Sequence, residues 1–375
     1  MKILLICSSS SVVTSFRFPL ISNMQRLGHD VCVLAFDNEH ETKIRSIGVE
    51  FYHLNDANRS LNPLKVLTLS SRYAKLIKQI NPDLVFTFML KPNIYGVQGA
   101  KKAGITNIYS MVEGAGDVFI NDGLKWKIIR KVVCHGYKKS FKNSKKVFFL
   151  NNDDKNEFVQ RKLVQENQCE IVHGIGVDLE RFSYKPLKNQ NTFLMIARLL
   201  KTKGVMEYCE AARIVKQKYP NATFNLLGPE GTMKQTDIQE YIDDNSINYL
   251  GPTTDVRPYV EESSVYVLPS YREGLSVSVM EAQSVGRAII TGDTNGTRDT
   301  VEDGYNGFLV PIKNAEAIAE KMIYFLENPS EIERMGKNAR TFAENNFDQK
   351  IINEKICDII GVNYAQENSE FCKVQ

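Results

Sequence analysis

The chain has 375 residues, of which 43% are hydrophobic and 24% charged, with a formal net charge of +3. That length suits two domains of ordinary size, and the balance is that of a soluble globular protein. So small a net charge excludes a partner drawn in by overall charge; any basic surface must be local. Cysteines stand at Cys7, Cys32, Cys134, Cys169, Cys209, Cys357 and Cys372, with no CxxC or other metal-ligand spacing. They read as reduced, mostly core thiols of a cytoplasmic protein. The apolar run at Ile3–Cys7 is too short for the core of a signal peptide and reads as a first strand. No run approaches the roughly 18 apolar residues that span a bilayer.

Short apolar runs at Ile3–Ile6, Val31–Ala35, Leu84–Phe88, Ile108–Met111 and Val147–Leu150 predict buried parallel strands. Helix-period segments lie between them: Phe18–Leu27, closed by Gly28, and Val66–Gln79, stopped before Asn81-Pro82. The alternation pauses over 165–190 and restarts. Phe193–Ile196, Thr223–Leu227, Tyr249–Leu250, Val265–Leu268 and Ala288–Ile290 predict a second strand series, with helices near 204–218, 234–244, 276–286 and 314–326. The expected fold is α/β: two Rossmann-like domains with parallel sheets facing across an interdomain cleft. Residues 1–170 form the first domain, 171–190 a linker and 191–348 the second. Residues 349–375 form a helix returning to the first domain, with a frayed polar tail from Gln366.

The segment from Val265 to Ala282 is the most informative. A buried strand ends at Pro269, a loop carries Glu273 and Gly274-Leu275, and a helix begins near Ser276 with Glu281 two turns in. Free amides at that helix start suit an anion, and each carboxylate can accept two sugar hydroxyls. The bland alternative is a capping carboxylate and a surface helix residue. At the strand opening the second domain, Arg198 and Lys203-Gly204 flank the strand-to-helix turn, where two cations suit a diphosphate. A solvated basic turn is the alternative. No GxGxxG follows either first strand, which argues against a dinucleotide-dependent oxidoreductase.

Together these segments resemble family 4 of the retaining glycosyltransferases, which have the GT-B fold. Glu273 and Glu281 match that family's Glu-x7-Glu motif, and Arg198 with Lys203-Gly204 its basic pair. The run Asp293–Val310 resembles its Gly…Asp-Gly-x-Asn-Gly-x-Leu segment, with Asn295-Gly296 standing where a glycine pair is usual. The resemblance implies that Glu273 contacts the donor sugar, Glu281 the ribose, and Arg198 and Lys203 the diphosphate. Gly274, Leu275 and Ser276 complete the donor site. It implies retention of configuration, and no metal or other cofactor is expected beside the UDP-sugar donor.

Phe16-Arg17-Phe18-Pro19, Leu61-Asn62-Pro63, Lys91-Pro92-Asn93-Ile94-Tyr95-Gly96 and Val112-Glu113-Gly114-Ala115-Gly116 are similar to a bacterial branch. Its N-acetylgalactosaminyltransferases extend undecaprenyl-diphosphate-linked sugars for capsules, O-antigens and protein-linked glycans. Many relatives carry His-Gly where this chain has Glu113-Gly114. Arg17 and Lys91, after first-domain strands, are candidates for an acceptor diphosphate, or else solvated loop cations. Glu113 is a candidate for acceptor or sugar contact near the reacting centre, or else a capping carboxylate.

From Gly123 to Asn152 no acidic residue occurs, while Lys125, Lys127, Arg130, Lys131, Lys138, Lys139, Lys142, Lys145 and Lys146 do. Trp126, Ile129, Val133, Tyr137 and Phe141 fall at helical spacing. A basic amphipathic helix around 125–146 suits an anionic membrane surface, or packs its apolar stripe on the sheet with lysines in water. A peripheral protein on the inner face of the cytoplasmic membrane is expected, with no nucleic-acid partner. Two other classes stay open: a UDP-sugar epimerase of the same architecture, and a non-catalytic subunit that recruits a transferase to the membrane.

Overall fold

A computed structural model of the chain describes residues 1–55, 63–114, 116–120 and 123–363. Leu61-Asn62, Ala115, Cys372 and the tail from Gln366 lie outside the described residues. The chain divides into two compact units, one of Met1–Val172 with the residues from Lys350 on, the other His173–Gln349.

The first unit holds β1 (Lys2–Ile6), β2 (Asp30–Ala35), β3 (Glu50–His53), β4 (Leu84–Phe88), β5 (Ile108–Val112), β6 (Lys146–Phe149) and β7 (Cys169–Ile171). They form one sheet in the order β3-β2-β1-β4-β5-β6-β7, every pairing parallel. β4 and β5 are buried along their whole length, as strands covered on both faces must be. β3 and β7 carry no continuous apolar run, because each is an edge strand; only Phe51 of β3 is buried and β7 is half-buried throughout. The order reverses between β1 and β4.

One cover of this sheet gathers Leu69, Tyr73 and Ile77 of the helix Pro63–Ile80 against Val97 and Ala100 of the helix Val97–Ala103. The other cover is aromatic. Tyr137 lies 5.0 Å from Phe141 and 5.1 Å from Phe158, and Phe149 lies 5.3 Å from Phe158, between ring centroids. Each such buried ring stabilises the fold by about 1.5–3 kcal/mol. The helix Gln349–Ile359 belongs here. Lys355 Nζ donates to the Ile171 carbonyl at 2.9 Å, and Asn23 Nδ2 donates to Cys357 Sγ at 3.3 Å. Just beyond it, His29 Nε2 lies 2.7 Å from the Asn363 carbonyl.

The second unit holds β8 (Thr192–Ile196), β9 (Thr223–Leu227), β10 (Asn248–Gly251), β11 (Val265–Leu268), β12 (Ala288–Gly292) and β13 (Gly307–Val310), all parallel, in the order β10-β9-β8-β11-β12-β13. Here the order reverses between β8 and β11. Most of the stretch set apart as a linker at 171–190 is packed chain of this unit. Val177 and Phe182 are buried, and the Val177 and Lys185 amides donate to the Phe347 and Val285 carbonyls. The single helix expected near 234–244 is instead a 3-10 turn, Gln235–Ile238, followed by a short α-helix, Gln239–Asp243. Among the described residues no helix is long and apolar enough to cross a membrane.

Candidate active site

In open parallel sheets, ligands bind beyond the carboxyl ends of the strands where the order reverses. In the second unit that point is β8/β11, and the sequence-derived donor residues converge on it. Arg198 stands exposed just past β8. Lys203 ends the turn Lys201–Lys203, and Gly204 then starts the helix Val205–Lys218 with φ +75°. A Cβ at Gly204 would lie 2.3 Å from the Pro269 carbonyl oxygen, so only glycine lets the β8 and β11 loops touch.

Glu273 sits in the β11 loop with its side chain 12% exposed, and Lys203 Nζ lies 2.5 Å from its Oε1. The loop is held from both sides. The Tyr271 amide donates to the Thr202 carbonyl at 2.9 Å, and the Glu273 amide donates to the Asn295 carbonyl at 3.0 Å. Thr294 Oγ1 donates to the Tyr271 carbonyl at 2.8 Å. Of the usual glycine pair only Gly296 is kept, and only it is required: with φ +75°, its Cβ would meet the Glu273 carbonyl oxygen at 2.2 Å. Leu275 is buried, and Ser276 caps the helix Val277–Val285 by accepting from the Val279 amide. That helix N-terminus and the Lys203 ammonium supply positive charge at one end of the sheet.

Glu281, in the same helix, is only partly exposed. Burial pushes its carboxyl up to about 7, against the pull of Arg181 and with a further push from Asp255. Tyr266 of β11 lies within the field of both glutamates. Its hydroxyl donates to Ser278 Oγ at 2.6 Å, and its pKa is raised first by burial and then by the nearby carboxylates of Glu281 and Glu273. Two carboxylates and two cations about the β8 and β11 ends match a ligand with both hydroxyls and phosphates.

In the first unit the reversal point is β1/β4, and Arg17, Lys91 and Glu113 follow β1, β4 and β5. Arg17 and Lys91 are not solvated loop cations, for both are buried. Arg17 joins the helices Ser10–Phe16 and Phe18–Arg26 and is 2% exposed. Its guanidinium lies 4.3 Å from the Phe88 ring centroid and forms an ion pair with Glu113 Oε1. Burial lowers Arg17 to about 10, with the Cys7 thiol opposing, so it stays charged at neutral pH. Arg17 Nε is buried without a hydrogen-bond partner among the described residues. Lys91 is 8% exposed, with Nζ 5.5 Å from the Phe36 ring centroid, and it opens a π turn over Pro92–Gly96. Asn93 in that turn donates to the Met111 carbonyl at 2.8 Å and accepts from Thr87 Oγ1 at 2.7 Å. A buried arginine with an orphaned nitrogen is a cost that a bound anion would relieve.

Sequence reasoning missed Asp37, which accepts from the Ser10 amide at 3.2 Å and fixes the loop after β1. It also missed Tyr271, whose hydroxyl donates to Glu207 Oε1 at 2.5 Å and steadies the Glu273 loop. Neither stands in a recognisable motif. The basic helix is Leu124–Phe141, shorter than 125–146. Lys146 lies in β6 and pairs with Glu170 at 2.6 Å, and Lys145 Nζ donates to Asn107 Oδ1 at 2.5 Å. Val133, Tyr137 and Phe141 of the expected stripe are buried, whereas Trp126 and Ile129 are partly exposed.

Two family models match the chain: "Glycosyl transferase 4-like" over residues 2–151 and "Glycosyl transferases group 1" over residues 177–342. An N,N'-diacetylbacillosaminyl-diphospho-undecaprenol alpha-1,3-N-acetylgalactosaminyltransferase of Campylobacter jejuni is 31% identical over 95% of this chain and 97% of its own length. The chain belongs to the group 1 glycosyltransferases. A UDP-Gal:alpha-D-GlcNAc-diphosphoundecaprenol alpha-1,3-galactosyltransferase of Escherichia coli is 24% identical over 91% of this chain and 94% of its own. Anabaena HepE, solved with UDP and glucose, superposes with a TM-score of 0.78 at 18% identity, covering 96% of this chain and 99% of HepE. A glycosyltransferase from Rickettsia africae gives 0.76 at 20% identity, covering 96% and 97%. These structures show the fold, GT-B, with two parallel-sheet Rossmann-like domains. As a group 1 glycosyltransferase the protein is an enzyme of sugar transfer, which removes support from the epimerase and the non-catalytic subunit.

Proposed function

We propose that this glycosyltransferase moves an N-acetylhexosamine, GalNAc or GlcNAc, from its UDP-sugar onto a saccharide linked to undecaprenyl diphosphate, in the building of a bacterial surface polysaccharide or glycan. The observation that carries the reading is the full-length likeness to the Campylobacter transferase, with Arg198, Lys203, Glu273 and Glu281 gathered at one sheet reversal. Arg198 and Lys203 neutralise the donor diphosphate, helped by the amides around Gly274, Leu275 and the Ser276-capped helix. Glu273 holds the sugar hydroxyls and Glu281 the ribose. The bond from the anomeric carbon to the diphosphate breaks as the acceptor hydroxyl bonds to the same face, and the hydroxyl proton passes to the departing phosphate oxygen. The transition state is oxocarbenium-like, and the growing negative charge on the leaving group is what the cations stabilise. No metal is assigned a part. Arg17 and Lys91 hold the acceptor diphosphate, and Glu113 contacts the acceptor sugar. The enzyme works as a peripheral protein on the cytoplasmic face of the membrane, with the basic helix toward anionic lipid.

The test is nucleotide release from a panel of UDP- and GDP-sugars, with and without an undecaprenyl-diphosphate-linked saccharide. Release of UDP from one hexosamine donor, only with acceptor and lost in Glu281→Ala, is the expected result. Conversion of the donor to its epimer without acceptor would overturn the reading.

A further inference from the structure

The helix Leu124–Phe141 carries a second apolar stripe that the sheet does not cover. Leu124, Ile128 and Val132 are 77%, 58% and 63% exposed, and their spacing puts them on one face. Lys125, Lys127 and Lys131 are exposed beside them, and no acidic residue occurs between Gly123 and Asn152. Next to the stripe is a hollow of about 370 Å³ lined by Lys127, Arg130, Lys131, Cys134, Arg161 and Leu163. Arg161 shares the carboxylate of Glu157 at 2.9 Å. The buried half of the helix is anchored by its aromatic cluster, so this face is held outward rather than free to turn in. Three neighbouring aliphatic side chains in water, ringed by lysines, are unfavourable unless something apolar and negatively charged covers them. β5 and β6 are parallel neighbours, and this helix lies between them in the chain, after the short helix Asp117–Ile120. The crossover that carries it therefore leaves from the carboxyl ends of the strands, the side on which Arg17, Lys91 and Glu113 follow β1, β4 and β5.

We propose that Leu124, Ile128 and Val132 form a wedge that enters the headgroup–acyl boundary of an anionic bilayer, while the neighbouring cation-lined hollow takes a lipid phosphate. The wedge brings the acceptor edge of the first sheet to the depth at which a lipid-linked diphosphate emerges. This deepens the reading of a lipid-linked acceptor and rests on it for its purpose, but vesicle binding is read independently of transfer.

Trp126, the chain's one tryptophan, sits on the same helix and reports on it. The full chain is mixed with phosphatidylglycerol–phosphatidylcholine vesicles and with phosphatidylcholine vesicles, and flotation and Trp126 emission are followed. Wild type is expected to float with the anionic vesicles only, with a blue shift of emission and a residue of binding that survives high salt. The triple variant Leu124→Ser, Ile128→Ser, Val132→Ser is expected to bind at least tenfold more weakly, with Ile128→Ser alone intermediate. Both are expected to keep the wild-type melting temperature and turnover on a short-chain, water-soluble acceptor, and to lose turnover when the acceptor is in vesicles. Equal binding of wild type to both vesicles, no binding, or triple-variant binding equal to wild type would overturn the wedge. Failure of wild type on the soluble acceptor would instead strike the transfer reading alone.

Discussion

Lys203 Nζ and Glu273 Oε1 lie 2.5 Å apart, so the cation proposed for the donor diphosphate and the carboxylate proposed for the donor sugar neutralise each other. In the proposed mechanism a diphosphate entering the β8/β11 reversal competes with Glu273 for Lys203. It thereby frees Glu273 to accept sugar hydroxyls. Lys203→Ala is expected to lower kcat/KM roughly 10- to 100-fold, the scale of one charge-assisted hydrogen bond. It should also weaken inhibition by UDP. Steady-state kinetics check this; an unchanged UDP inhibition constant would detach Lys203 from the diphosphate.

Glu281 should make donor binding depend on pH. Burial holds its carboxyl at about 7, above its ordinary 4.5, so the folded chain favours the neutral form. The stability that follows is fully present below the ordinary value and is lost as the pH rises through about 7. Ribose hydroxyls bond the ionised form more strongly, so UDP affinity is expected to increase from about pH 6 to about pH 8. Glu281→Gln should flatten that dependence and weaken UDP roughly 10- to 100-fold. It should also raise the melting temperature at about pH 8, where wild type carries a buried charge. Calorimetry across pH reads both effects.

Gly296→Ala tests the packing of the Glu273 loop. The added methyl group meets the Glu273 carbonyl oxygen, and the positive φ strains any other residue. The expected cost is about 1–3 kcal/mol of stability, with a larger loss of kcat as Glu273 moves. Thermal unfolding and kinetics on the same sample separate the two.

Arg17→Lys keeps the charge and loses the planar fork that Glu113 and the Phe88 ring hold. The acceptor KM is expected to rise while UDP affinity stays at the wild-type value. A matched fall in UDP affinity would move Arg17 out of the acceptor site.

Activity in the presence of EDTA is expected to match that in its absence, because Arg198, Lys203 and the helix N-terminus carry the diphosphate charge in the proposed mechanism. Loss of turnover on chelation, restored by a divalent cation, would contradict it.

Both sheets were legible because their central strands are buried on two faces and read as unbroken apolar runs. The edge strands β3 and β7 were not, since a strand with one neighbour needs no such run. β13 hides within a glycine-rich segment. The grouping of Arg198, Lys203, Glu273 and Glu281 about the β8 and β11 ends was legible because glycine turns, cations and carboxylates recur at strand ends in a recognisable order. The burial of Arg17 was not. Nothing in Ser15-Phe16-Arg17-Phe18-Pro19 shows that two helices meet there against Phe88. The basic helix was half legible. It carries two apolar stripes of similar spacing, and Ile94, Phe149 and Phe158 decide which one the core takes. Periodicity within the helix holds no record of those partners.

The most direct test of sugar transfer is the product itself. Wild-type enzyme is incubated with the preferred UDP-N-acetylhexosamine and an undecaprenyl-diphosphate-linked saccharide, and the lipid is examined by mass spectrometry and proton NMR. The account predicts addition of one N-acetylhexosamine residue, joined with the donor's anomeric configuration retained, and no addition by a Glu273→Ala, Lys203→Ala double variant. An unextended lipid beside an epimerised donor, or an extended one with inverted configuration, would contradict it.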